Sequence, residues 1–535
     1  MAEREVYDYV VVGAGSAGAV VAARLTEDAA IRVLLLEAGG PAEADHISIP
    51  AAFANLFQTR WDWNYQTAEQ KQLHGRRAYW PRMKALGGCS SMNAMIYIRG
   101  NRLDYDTWRD AYGAVGWGYD DVLPAFVRAE GNTRLGAPFH GQDGPLHVED
   151  RRYTHPLTHA WVDSAVAAGF THTDDFNGAE QEGVGIYQVT QKDGERWSAA
   201  RAYLFPHMGK RANLHVETHA QVARILVEDG RAVGVEAIKG KERRTVRARR
   251  EVVLSAGALQ SPQILMLSGI GPAAELKRHG IAPVLDLPGV GRNLQDHPDF
   301  IFGYRSASLD TFGISLSGGW RMLRETLRYP PERRGAITSN FAEAGGFLKT
   351  RPDLDAPDIQ LHFIVSMVDD HARRLHLGHG FSCHVCLLRP RSRGTLTLAS
   401  ADPLAAPLID PAFLMDPQDV EDMVAGFRLT RRLMEAPALA AWVRKDMVTA
   451  EVRSDDDIRA VLRRRVDTVY HPVGTCRMGM DADAVVDPEL RVRGIEGLRV
   501  VDASIMPTLI GGNTNAPVIM IAEKAVDMMR GTSRV

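Results

Sequence analysis

Cysteine is scarce in this chain, with four in 535 residues. That excludes a scaffold built on disulfides. Cys383 and Cys386 form a C-x-x-C inside FSCHVCLL, a stretch that reads as a buried strand. A single pair makes no zinc site, and a redox pair stays open as an alternative. Excess charge of one sign is also missing: the net charge is −3. No nucleic-acid footprint results, and the short basic runs at 243–244, 249–250 and 463–465 read as solvated faces. No run of about 18 uncharged apolar residues occurs, so no membrane-spanning helix is expected. The N-terminal MAEREVYDYV lacks a signal-peptide pattern, and the final TSRV is not the peroxisomal S-K-L address. A cytoplasmic, soluble protein is the expectation. Internal repeats and low-complexity tracts are absent as well.

What is present begins with 45% hydrophobic residues, enough for a large core and more than one domain. The apolar run YDYVVV, residues 7–12, leads directly into GAGSAG. Gly13, Gly15 and Gly18 complete G-x-G-x-x-G between a strand and a helix. Gly13 permits the tight turn, Gly15 leaves room for a pyrophosphate, and Gly18 lets the helix approach the sheet. The helix from Ser16 and Ala17 onward points its free N–H groups at the anion. A second apolar run, 32–36, ends at Glu37 and Ala38. Glu37 lies 19 residues after Gly18, where a ribose hydroxyl expects its carboxylate, and an acid there disfavours a 2′-phosphate. Together these mark a dinucleotide site.

Further along, 41–82 mixes Pro, Trp, Asn and Gln without periodicity and reads as a long functional excursion. Short strands are expected at 214–218, 223–228, 232–238, 245–248 and 251–255, followed by a helix over 261–267. Strands at 359–365 and 381–388 and an amphipathic helix over 416–433 belong to a different region. A strand at 497–502 and a closing helix over 518–529 end the chain. The division is 5–300, mainly cofactor-binding; 301–460, mainly substrate-binding; and 461–530, returning to the first domain.

Three more segments carry a family resemblance. They are MKALGGCSSMNAMIYIRGNRLDYD (83–106), GALQSPQILMLSGIG (257–271), and the pair YHPVGTCRMG (470–479) with VVDASIMPTLIGGNTNAPV (500–518). With the Gly13 loop they resemble the glucose–methanol–choline (GMC) flavin oxidoreductases over nearly the whole length, most closely the choline dehydrogenase-like alcohol branch. Met83 and Cys89 depart from the family's first motif. The resemblance implies an α/β fold: a Rossmann-like FAD-binding domain with an inserted α+β substrate domain. It implies FAD rather than NAD. Gly87, Asn93, Ala94, Met95 and Ile96 would lie along the flavin, Val222 at the adenine, and Asp502 and Ala503 at the ribityl chain and pyrophosphate. Asn513 and Thr514 would be further cofactor neighbours. Some members attach FAD through a His where this chain has Met92, so non-covalent FAD is expected.

Alcohol oxidation needs removal of the O–H proton and of a hydride, the latter taken by the flavin. By the resemblance, His471 is the base and Asn515 the second catalytic residue, holding the oxygen, with Asn513 as the alternative. Asp296 and His297 read as structural, and Trp61, Trp63 and Tyr65 as either entrance or packing. The expected reaction is oxidation of a primary alcohol to the aldehyde, with O2 or a quinone-like acceptor as electron partner. A quinone would bring peripheral membrane association. The alternative is an FAD-containing lyase of the same fold. For choline, Asp369, Asp370, Tyr65 and Tyr470 are candidate contacts.

Overall fold

The computed structural model describes residues 6–374 and 376–531. Strand β1 (Val6–Val12) is almost wholly buried. Its β-branched and aromatic side chains suit a sheet covered on both faces. The chain turns at Gly13, forms helix α1 (Ser16–Leu25), and returns as β2 (Val33–Leu36) parallel to β1, with Tyr9 opposite Val33. Gly13 takes a φ of +93°, and a Cβ on Gly18 would fall 1.8 Å from its carbonyl oxygen. Only glycine closes this turn.

The sheet grows on both sides of that unit. Strand 214–217 adds in parallel beyond β2. On the other side lies β3 (Glu242–Leu254), parallel to β1 with Val10 opposite Val252. Its first half also pairs antiparallel with 231–239, which in turn pairs with 221–228. The two strands expected at 245–248 and 251–255 are therefore one. Their polar junction, Arg249-Arg250, is exposed where the strand leaves the parallel core and becomes a half-solvated meander. Helix α2 (Gly257–Leu267) follows, and strand 498–500 joins β3 in parallel.

A second sheet has the order 443–446, β4 (Pro298–Ser306), β6 (Gly380–Leu387), β5 (Ile359–Ile364), 342–348, 183–186. Its last strand comes from the stretch read as mainly cofactor-binding, and 467–468 pairs with β4 from the C-terminal segment. The surface helix α3 (Leu316–Glu332) lies between β4 and β5 in sequence. One face of the sheet packs on α4 (Pro417–Met434), where Phe427 meets Phe302 at 4.6 Å and Phe300 at 5.2 Å between ring centres. The opposite face carries Gln360, His362 and His384. Alternation on β6 sends Cys383 into the α4 core and Cys386 to the other side, where its thiol donates to Asp299 Oδ1 at 3.0 Å. Three residues apart on a strand, the two thiols face opposite ways, and both are free. The redox-pair alternative is thereby corrected. Helix α5 (Asn515–Arg530) closes the molecule against α1, with Arg24 reaching the buried Glu523 at 2.9 Å.

Candidate active site

A cavity of about 780 Å³ runs between the two sheets, within the size range of ligand sites. At one end lie Gly13, Gly15, Ser16, Ala17, Glu37 and Ala38. A Cβ on Gly88 would sit 2.7 Å from Gly15 Cα, so the two loops can touch only as glycines. Glu37 accepts from the backbone N–H of Ala14 at 2.9 Å and of Gly39 at 2.7 Å, with its carboxylate in the cavity wall. Burial pushes its pKa up, against the pull of those two N–H groups. The N-termini of α1 and α5 converge here: Ser16 Oγ donates to Asn515 Oδ1 at 2.7 Å. No side chain caps the first turn of either helix, so their N–H groups are available to an anion. A bare glycine cradle, two open helix ends and a buried carboxylate fit the pyrophosphate and ribose of a dinucleotide.

The rest of that end is braced from behind. Gly87, at φ +86°, and Gly18 stand outside the lining and shape the turns under it. Asn93, Ala94, Met95, Ile96, Val222 and Ala503 all line the cavity. Asn93 is held by Arg196, which is fully buried and also donates to the carbonyls of Ile47 at 2.9 Å and Asn93 at 2.6 Å. Arg196 escaped the sequence reading because nothing in its neighbours announces a brace. Asp502 lines the cavity while its carboxylate takes Gly257 N–H at 2.9 Å, Ser261 Oγ at 2.6 Å and Ser504 N–H at 2.8 Å. It therefore fixes the start of α2.

At the other end stands His471. The residue before it, Tyr470, has φ +74°, a strained backbone for a bulky side chain. Its hydroxyl is 2.6 Å from His371 Nδ1, which holds the turn. Asp296 accepts the backbone N–H of His471 at 2.7 Å and of His297 at 2.9 Å, fixing both main chains at once. Burial pushes the Asp296 carboxyl up to about 7.

The imidazole network sets the tautomers. His297 Nε2 lies 3.1 Å from the Ile510 carbonyl, an acceptor only, so that nitrogen carries the hydrogen. Burial holds His297 neutral, with its pKa pushed down to about 3. Its Nδ1 lone pair then accepts from His471 Nδ1–H at 3.0 Å. His471 Nε2 is left with its lone pair facing Asn513. Burial first, then His297, His362 and Arg82, drive the His471 pKa well below the ordinary value. Gln360 Nε2 donates to Asn513 Oδ1 at 2.9 Å, which turns the Asn513 NH2 toward His471 Nε2, 3.4 Å away.

The two asparagines take different partners. Asn515, expected beside the histidine, is the first residue of α5 and bonds to the Gly-rich loop. Asn513, expected as a cofactor neighbour, is the amide next to His471. Both line the cavity with Thr514. A spacing of two residues at a helix start turns side chains in different directions, and sequence order does not reveal which one meets His471. His362, His384 and Gln360 come from β5 and β6, far from any motif. Alternation along those strands was the one available signal. Trp63 and Tyr65 line the cavity, stacked at 5.9 Å, and Trp61 does not.

The chain matches the family described as GMC oxidoreductase over residues 7–299 and 390–522. It is 47% identical to the alcohol dehydrogenase [acceptor] of Pseudomonas putida, covering 98% of this chain and 95% of that protein. It is 45% identical to the mitochondrial choline dehydrogenase of Homo sapiens, covering 99% and 90%. A formate oxidase of Aspergillus oryzae RIB40, solved for the effect of a mutation on FAD modification, superposes with a TM-score of 0.93 at 27% identity over 99% of each chain.

Proposed function

This chain belongs to the GMC oxidoreductase family, and on that premise we propose that it oxidises a neutral, apolar primary alcohol to the aldehyde with non-covalently held FAD. FAD, when bound, supplies the hydride acceptor. One pair of groups carries the assignment: the His471 Nε2 lone pair and the Asn513 NH2, 3.4 Å apart in the cavity wall. An alcohol hydroxyl that displaces this contact donates its proton to His471 and accepts from Asn513. His297 holds the tautomer that keeps Nε2 open, and Asp296 holds the backbone of both histidines. Ser16, Asn515 and Glu37 serve the dinucleotide.

The lining supports an apolar substrate. Phe53, Phe57, Phe312, Phe341, Ile364 and Met367 wall the far end. Among the described residues, the carboxylates lining the cavity are Glu37 and Asp502, both at the dinucleotide end. Asp369, a candidate for choline, is spent on His376 at 2.9 Å and Arg465 at 2.8 Å. Asp370 is paired with Arg373. Rings alone could cage an ammonium, but Arg82 shares that end and repels one. The mouse and human relatives named for choline therefore differ from this chain in substrate under the proposal. Met92 stands buried in the lining and cannot form the histidyl–flavin bond, which supports non-covalent FAD.

Electrons leave to O2 or to a quinone-like acceptor. Anaerobic titration of the purified yellow protein with aliphatic, benzylic and furfuryl alcohols and with choline tests the proposal. Bleaching by an apolar alcohol and not by choline is expected. Rapid recolouring in air identifies an oxidase, and slow recolouring a dehydrogenase with another acceptor. Bleaching by choline alone overturns the substrate class. Bleaching by none, with cyanohydrin cleavage present, overturns oxidation in favour of the lyase alternative.

A further inference from the structure

Helix α3 is apolar on the wrong side. Its inner face, Gly318, Met322, Glu325 and Tyr329, packs toward the protein. The diametrically opposite face carries Leu316, Trp320, Leu323 and Leu327, a single stripe at helical spacing. These are 97%, 72%, 48% and 71% exposed. A soluble surface helix reverses that pattern. Ile314 and Leu377, 44% and 73% exposed and bridged to each other, extend the patch. Ile314 and Met322 also line the substrate end of the cavity, so the patch borders its mouth.

The charge around the stripe is basic. Residues 316–334 hold five arginines (321, 324, 328, 333 and 334) against two glutamates (325 and 332), on a chain whose net charge is −3. Arg333 is paired with Glu195, and Arg321 lies over the Phe312 ring. Arg324, 3.8 Å from Glu325, and Arg328 flank the stripe on one side and are exposed. Leucines and a tryptophan beside arginines, on a helix lying flat against the protein, are the pattern of a helix that sits in the plane of a lipid interface. An exposed apolar stripe of this kind marks an interaction surface.

We propose that α3, with Ile314 and Leu377, seats this protein on the surface of an anionic lipid bilayer, with the mouth of the cavity at the membrane. The apolar stripe enters the acyl boundary and the arginines meet the phosphates. An apolar alcohol or a lipid-soluble acceptor would then reach the cavity without crossing water. No helix is long and apolar enough to span a bilayer among the described residues, so the association is peripheral.

The test is co-sedimentation of the FAD-loaded protein with vesicles of phosphatidylcholine, with and without phosphatidylglycerol. It reads no turnover, so its result is separate from that of the alcohol titration. Binding to the anionic vesicles is expected to exceed binding to neutral ones, and to fall about tenfold or more in the variant Trp320→Glu/Leu327→Glu. That variant should keep its FAD content and its turnover of a water-soluble alcohol. Emission of the unaltered protein should also be quenched by brominated lipid more than that of Trp320→Phe, a check that needs no charged substitution. Equal sedimentation of the double variant, or no sedimentation and no quenching, overturns the proposal. So does a dimer in solution that the double variant dissolves, since a second copy would then cover the stripe.

Discussion

A histidine with an ordinary pKa near 6.5 would be largely protonated at pH 5.5 and useless as a base. His471 is held well below that value by burial, His297, His362 and Arg82. Its neutral, proton-accepting form therefore persists as pH falls through 6.5, and is lost only below the depressed pKa. Stopped-flow flavin reduction by alcohol should accordingly stay flat from pH 8 to below 6.5. A limb near 7 would instead report Asp296, whose carboxyl burial pushes up to about 7, and Asp296→Asn would remove it. His471→Ala should retain FAD and lose on the order of 10²- to 10⁴-fold in the reduction rate. The asparagines give a sharper comparison. Asn513→Ala should cost on the order of 10²- to 10³-fold in reduction with FAD retained. Asn515→Ala should mainly weaken FAD retention, read as the flavin-to-protein absorbance ratio. The reverse pattern would restore Asn515 as the oxygen-holding group.

At the scale of elements, the β1–Gly13–α1 turn has no slack. A methyl group on Gly18 would meet the Gly13 carbonyl at 1.8 Å, backbone against backbone. Gly18→Ala should yield protein without bound FAD, or none that folds, as judged by visible absorbance. Gly319 in α3, with nothing within 4 Å of its Cβ position and no positive φ, is the control: Gly319→Ala should keep its colour. The second sheet depends instead on side-chain packing. Phe427→Ala removes a ring set against Phe300 and Phe302 and should cost about 3–5 kcal/mol in denaturant unfolding. These elements were legible to different degrees. The G-x-G-x-x-G turn announces itself because only glycine satisfies it. The single long β3 does not, because its exposed Arg249-Arg250 looks like a break between strands. Strand β6 alternates Phe381, Cys383 and Val385 with Ser382, His384 and Cys386, but because both faces are buried the pattern reads as one continuous buried run.

For the whole molecule, FAD would bridge loops from both ends of the chain, through Ser16 on α1 and Asn515 on α5. Binding to the folded state alone stabilises it by about 2.7 kcal/mol at a hundred times Kd. Removing FAD should lower Tm, and readdition should restore it, by differential scanning fluorimetry. Acid precipitation should leave all the flavin in the supernatant, as non-covalent attachment requires. Flavin remaining with the pellet would refute it.

By itself the sequence determined the dinucleotide fold and the family and singled out His471 as a candidate, because each rests on local order: a glycine turn, an acid at the end of a strand, and contiguous motifs. Only the tertiary structure set Asn513 against His471 and Asn515 against Ser16, put the ring of His297 on His471, and brought His362 and His384 from β5 and β6 to the cavity, with Gln360 behind them on Asn513. It alone revealed that the outer face of α3 is uncovered. Those facts depend on which groups meet across hundreds of residues. A hydrogen bond is set by distance and direction in space, and neither is written in the order of residues along the chain.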